Sequence, residues 1–574
     1  MPKPKAKPAI DVLTLDYQLA ELPSSQHRAR LAGLVLIIRW LDRHPEFREK
    51  VANGAICHLK RLDEKGATLE INQAGLEALL DEIYAASTEE QIRSQLLKNP
   101  RTKAVIKPLR EEEREETDAR GHIKTKKVYI YPVVVPGGSF LADSQFDKSS
   151  NGQHGCWIKL WRDMVWSILR GVPATRKPFE ERAEGTYTED AAKVWKDLIQ
   201  PETFTVDLPS TYFLGAQAFN AETVPFRDRA RLQFLLHFWL FAAQIYVPAV
   251  INNEGNRDFV GYALAIPDVS DLEGFCDELP FVLSDRSPEL SGYRPRDAIV
   301  DLAIESALDL MRRLRDRLTT RTGEQATANS VFGVDVIHTE KQGNNVRVLG
   351  VTRLDSDAPL VNEYSQIRKG YWNPRFRRQR LLNLVNRQPW YFGFDKLLCT
   401  LPYEQSIEND YFRRDVREAF QNEVMQMSET TKNLSSDQLE ELDDEQLPES
   451  TPIDQIVLRL VKNFVNRKLK SKYDLEWKPE WKLPANATKE QREARDKRPD
   501  YRDYADKKTK LAKSAFLDIR SRTEQMDFIN YFVSTLCSVP QRMKPENYSK
   551  LSHDLYHDTD RIRTLTLLAL SANS

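Results

Sequence analysis

The chain is 574 residues long and carries 84 basic against 85 acidic side chains, a formal net charge of -1. Such a length holds about two to four domains and a core that needs no disulfide or metal. The balanced charge excludes a uniformly basic polyanion binder, so any such surface has to be local.

The five cysteines, Cys57, Cys156, Cys276, Cys399 and Cys537, are widely spaced with no CxxC pair. That argues against a zinc ribbon or disulfide framework and for a reducing, cytoplasmic setting. The first residues hold prolines and lysines but no apolar run, so no secretory signal is expected.

Residues 1–20 read as a loose arm entering an extended stretch. Ser24 and Ser25 then offer a helix start, and the apolar run 31–41 carries a buried helix to about Asp42. Residues 66–98 read as helical, with Thr88 as a cap. The mixed-charge run 108–127 is expected to form a solvated hairpin or loop, and the β-branched stretch 128–135 a strand. A long loop at 136–155 leads to helical spacing over 157–170, with Trp157, Leu160, Trp161, Met164, Val165 and Ile168 on one side.

Residues 234–251 are almost wholly apolar. A membrane span is one reading, but His237, Gln244 and Pro248 favour a buried core helix. An Asn/Gly turn at 251–259 enters a strand over 259–266. A helix is expected over 296–320, then strands at 331–338 and 345–353. An acidic, polar stretch at 428–450 reads as a linker or exposed loop. Apolar stripes at 453–470, 504–539 and 548–571 predict a helical bundle beyond it. The expected fold is α+β: an irregular mixed α/β body over 1–427, the linker 428–450, and an all-helical bundle over 451–574.

Enzyme signatures are mostly missing: there is no GxxxxGKS/T, GxGxxG or GxSxG string. His553 and His557 share a helix face near Asp554, Asp558 and Asp560. A metal-dependent nuclease there would need further ligands from elsewhere, and a polar helix face is the plainer account. No catalysis, metal or cofactor is expected.

Local basic patches are the stronger signal. Within 366–394, Arg368, Lys369, Arg375, Arg377, Arg378, Arg380 and Arg387 interleave with Tyr371, Trp372, Phe376, Trp390 and Tyr391, with no acidic residue between. Guanidinium groups grip phosphates and aromatic faces stack on bases; the alternative is an arginine-rich surface packed on another protein. In and after the 136–155 loop, Lys148, Asn151, Gln153, His154, Lys159, Arg162, Arg176 and Lys177 are further candidates. So are Asn252, Asn253, Asn256 and Arg257 on the later turn, where amides can read base edges. In the C-terminal bundle, Lys462, Arg467, Lys468, Lys470 and Lys472 form a basic face that either tracks a strand or is simply solvated.

The strings YQLAELPSSQHRARLAGLVLIIRWLDR (17–43) and WIKLWRDMVWSILRGVPATRKPFEER (157–182) resemble the large subunit of type I CRISPR Cascade complexes, in particular the I-B-like Myxan branch. The resemblance implies a non-nucleolytic subunit at the 5′ end of a guide crRNA. It would read the flanking motif (PAM) in double-stranded DNA, help open the duplex, steady the R-loop, and recruit a helicase-nuclease or, in some systems, a transposition adaptor. Partners would be the backbone and guide-end subunits and a small subunit. The resemblance further implies that the C-terminal domain is similar to that small subunit, which an internal start at Met425 or Met427 would produce. The alternative is a scaffold subunit of another nucleoprotein assembly with no direct DNA reading.

Overall fold

The first long helix, α1 (Ser25–Leu41), is buried almost all the way round, from Ala29 through Leu41. A helix apolar on every side has to be enclosed, and the computed structural model shows what encloses it. Residues 11–98, 102–117, 123–137, 157, 160, 161, 164, 176–185, 190–207, 227–252, 254–286, 290–291, 294–322, 330–342, 345–426, 451–484, 487–538 and 543–574 are described. They divide into two compact units, Met1–Ala358 and Pro359–Ser574.

In the first unit, β1 (Leu13–Gln18) pairs with β3 (Gly66–Ile71), which also pairs with β2 (Cys57–Leu62), all antiparallel. Helix α2 (Gln73–Ile83) follows β3, capped by the Asn72 side chain on Gly75 N. A second sheet joins β4 (Ala86–Arg93) and β5 (Arg110–Thr117) to the long β6 (Ile123–Pro136). Then come α3 (Arg176–Ala183), α4 (Asp190–Leu198), α5 (Ala230–Leu235) and α6 (Trp239–Ala242).

The main sheet is built from β7 (Gln244–Ile251), β8 (Arg257–Phe259) and β9 (Tyr262–Val269), with β11 (Val331–Gln342) and β12 (Asn345–Asp355) extending it in the order β8-β7-β9-β11-β12. The short β10 (Ile299–Val300) pairs parallel with β7. Helices α7 (Leu272–Ser284) and α8 (Glu305–Thr322) complete the unit. Helix α1 packs on β9, α6 and α7. At Gly33 a Cβ would lie 1.9 Å from the Phe238 carbonyl oxygen, so only glycine allows that approach. Arg28 and Arg353 both pair with buried Asp268, at 2.5 and 2.8 Å, and pin the start of α1 to the sheet.

Three sequence expectations are corrected here. Residues 66–98 hold β3, α2 and β4, so Thr88 lies in a strand and caps no helix. The apolar run 234–251 is not one helix. It breaks into α5, α6 and β7, because Ile245, Tyr246, Val247, Val250 and Ile251 suit a pleated strand and Pro248 ends any helix. The helix expected at 296 begins at Glu305, after a short turn and β10. The mixed-charge run does form a hairpin, β5–β6. Among the described residues no helix is long and apolar enough to cross a membrane.

The second unit is helical: α9 (Ala358–Gly370), α10 (Pro374–Val385), α11 (Phe394–Thr400), α12 (Asp410–Gln426), α13 (Ile453–Tyr473), α14 (Lys489–Asp496), α15 (Pro499–Ser521), α16 (Gln525–Tyr531), α17 (Pro545–His557) and α18 (Thr559–Ala572). Helix α18 is its axis, buried at Ile562 and from Thr564 to Ala572. Helices α11, α12, α13, α15, α16 and α17 pack around it. Thr564, Thr566 and Ser571 avoid the cost of burial by bonding back to carbonyls four residues earlier. Trp390 and Arg561 converge on Asp454 at 2.8 and 3.1 Å, and Arg417 caps Ala572 O at 3.2 Å. The helices of 359–426 therefore belong to the same compact unit as 451–574. The expected boundary at 427 lies inside it, and the stretch 428–450 lies outside the described residues.

Candidate nucleic-acid interface

The basic run of 366–394 folds into the end of α9, a tight corner at 370–373, and α10. Buried Asp415 on α12 builds the corner. Its Oδ2 accepts the backbone N–H groups of Trp372 and Asn373, at 2.8 and 2.6 Å, and its Oδ1 accepts Arg414 Nη1 at 2.8 Å. Burial pushes the Asp415 carboxyl up to about 6 even though those amides and the guanidinium pull it down. Asn373 then caps α10, accepting from Arg375 N and Phe376 N, with Pro374 in the first turn.

Arg375, Arg377 and Arg378 follow at once, half-buried, with no acidic residue in that first turn. Cations at a helix N-terminus oppose the macrodipole, by about 0.3–1 kcal/mol each near the surface. Partial burial holds the Arg375 guanidinium below its usual value. Arg368 and Lys369 close α9, where the dipole favours them. Arg387 stands in the loop after α10 in a left-handed conformation, φ 52°.

Arg380 is a correction. It is 6% exposed, 3.6 Å from Glu363 and over the rings of Tyr371 and Trp390, so it braces the bundle and faces no ligand. Tyr371, Phe376 and Trp390 are buried too and offer no open stacking face. The exposed aromatic residue of the corner is Trp372, with Tyr411 and Arg414 of α12 beside it. Sequence reasoning missed those two. They lie some forty positions away, and Arg414 sits between Arg413 and Asp415 in an ordinary charged stretch.

The basic face of α13 is present but has a plainer account. Lys470 and Lys472 lie in the last turn, where cations suit the dipole, and Lys470 pairs with Glu476 at 2.5 Å. Arg467 is exposed; Lys462 and Lys468 are half-buried. In the first unit, the 251–259 turn uses Asn252 for itself. Its Oδ1 accepts Glu254 N and Asn256 N at 3.0 and 2.9 Å, so it offers no free acceptor edge to a base. Asn256 and Arg257 stay exposed at the turn.

Lys148, Asn151, Asn253, Gln153, His154, Lys159 and Arg162 lie outside the described residues, as do Val165 and Ile168. Arg176 and Lys177 begin α3. Trp157, Leu160, Trp161 and Met164 are buried as their spacing predicts. His553 and His557 stack at 4.2 Å, and the described residues contain no group of three or more side chains placed to hold a metal.

Comparison with known proteins then bears on the whole chain. The model described as Type I-B CRISPR Cas8b N-terminal domain matches residues 56–324. The model described as Type I-B CRISPR Cas8b C-terminal domain matches residues 331–573. No curated protein matches the chain. The two matched domains follow one another in order over nearly the whole length, and the chain belongs to the type I-B CRISPR Cas8b family of large subunits.

Proposed function

We propose that this large subunit works in the cytoplasm within a crRNA-guided Cascade complex of antiviral defence, and that it is not itself an enzyme. It recognises the PAM in double-stranded DNA, helps unwinding, stabilises the R-loop and recruits the helicase-nuclease or a transposition adaptor. The guide reads sequence by pairing while the protein holds backbone and flanking motif. Its partners are the crRNA, the backbone and guide-end subunits, and a small subunit, made in one version of this reading from Met425 or Met427.

The observation that carries the reading is the run Arg375, Arg377 and Arg378 in and just after the first turn of α10. These cations are placed against the helix dipole, with no acidic residue in that turn. The test is the salt dependence of target-DNA affinity in the reconstituted complex. Changing all three to Ala should weaken binding and lower the log–log slope by about 0.9 for each phosphate no longer neutralised. An unchanged affinity and slope refutes the patch. Loss of another protein subunit from the particle would favour the scaffold reading instead.

A further inference from the structure

We propose that Trp372, Arg414 and Tyr411 form a nucleotide notch that takes an unpaired base and its phosphate from single-stranded nucleic acid. The proposal rests on the reading that this chain grips nucleic acid. It goes further in naming the strand state and the side chains.

Trp372 is 56% exposed and Tyr411 57%. Single exposed aromatic residues are ordinary. Two of them side by side, with ring centroids 6.1 Å apart and planes tilted by 54°, make an angled aromatic notch. The guanidinium carbon of Arg414 lies 3.8 Å from the Trp372 ring centroid. It therefore backs the indole with a fixed positive plane.

That guanidinium is held by one nitrogen only. Nη1 donates to Gly370 O and to Asp415 Oδ1, both at 2.8 Å. Among the described residues, neither Nε nor Nη2 has a protein acceptor, and neither is sealed from solvent. An arginine fixed in place with an unused edge is a phosphate receptor that loses little freedom on binding. The indole is equally prepared, because Asp415 fixes the backbone at Trp372 and Asn373. Of the two acids beside the notch, Asp415 pairs with Arg414 itself and Asp410 with Arg413.

An exposed ring beside a fixed cation matches a nucleotide: the base stacks on the ring and the adjoining phosphate meets the guanidinium. A base within a duplex is already stacked on both faces, so the notch selects an unpaired one. Stacking is tolerant of base identity, so little sequence preference is expected.

The experiment uses the purified complex, with single-stranded oligothymidylate and a duplex of equal length as probes. Trp372→Ala should weaken oligothymidylate binding about 5- to 100-fold. Duplex binding should barely change. Trp372→Phe should restore most of the loss, and Arg414→Gln should weaken binding and reduce its salt dependence. Quenching of tryptophan fluorescence by oligothymidylate should shrink in Trp372→Ala. Far-UV circular dichroism and the melting temperature should match wild type, since the ring is exposed. Unchanged oligothymidylate affinity and quenching in Trp372→Ala and Tyr411→Ala overturns the notch. So does loss of a protein subunit from the particle, which would mark a protein contact. In either case, a weakened target-DNA affinity in the triple variant of Arg375, Arg377 and Arg378 leaves the broader reading standing.

Discussion

Asp415 carries more of the interface than any arginine in it. Its carboxylate satisfies two backbone amides and one guanidinium, and no other group in the corner can replace it. Asp415→Ala leaves one buried and one part-buried N–H group without an acceptor, at up to about 1–3 kcal/mol each. Urea unfolding should show a loss of about 2–4 kcal/mol, and the Trp372 emission should become more mobile by anisotropy. A loss below about 0.5 kcal/mol would contradict this role. At this scale the sequence was partly legible. The basic run and its aromatic residues marked the segment that folds into this corner. Periodicity also held a signal that composition hides: Phe376, Arg380 and Leu384 are spaced by four and share a helix face, and all three are buried. Nothing in the sequence pointed from Trp372 to Arg414 and Tyr411, because their meeting depends on how α12 packs against the corner.

Elements were legible where one period dominates. Helix α1, the β5–β6 hairpin, the β11–β12 hairpin and, apart from α14, the helices from α13 onward follow their patterns. The apolar run 234–251 did not, because a continuous apolar stretch suits a buried helix and a buried strand equally. Its first part holds His237, buried and within 2.8 Å of the Tyr84 hydroxyl. Burial pushes the ring down to about 4; Asp190 opposes that shift and Arg182 adds to it. A depressed imidazole contributes its stability above about pH 6.5 and loses it as pH falls through 4, by up to about 3 kcal/mol. His237→Gln keeps a polar partner for Tyr84 but cannot become charged. The melting temperature of wild type should therefore fall relative to this variant between pH 6.5 and 4. Parallel curves for the two proteins would contradict the assignment.

At the scale of the whole molecule, the α+β class was legible but the division of the chain was not. The acidic stretch 428–450 looked like a boundary because its composition changes there. Composition does not reveal that α11 and α12 cover α18. A fragment spanning residues 359–574 should therefore be monomeric and cooperatively folded. One starting at Met427, stripped of α9 to α12, should need a partner subunit to cover α18 and, purified alone, should self-associate by light scattering. A well-folded monomer from the shorter fragment would contradict this packing account. It would equally favour an autonomous small-subunit product.

Membership in a family of guided-complex subunits makes one measurement decisive. The full chain, tagged and expressed with its neighbouring subunits, is purified under native salt, and the RNA in the particle is sequenced. The account predicts short RNAs of uniform length with repeat-derived ends, and affinity for DNA complementary to their interior. A stable particle free of RNA and indifferent to DNA would contradict it.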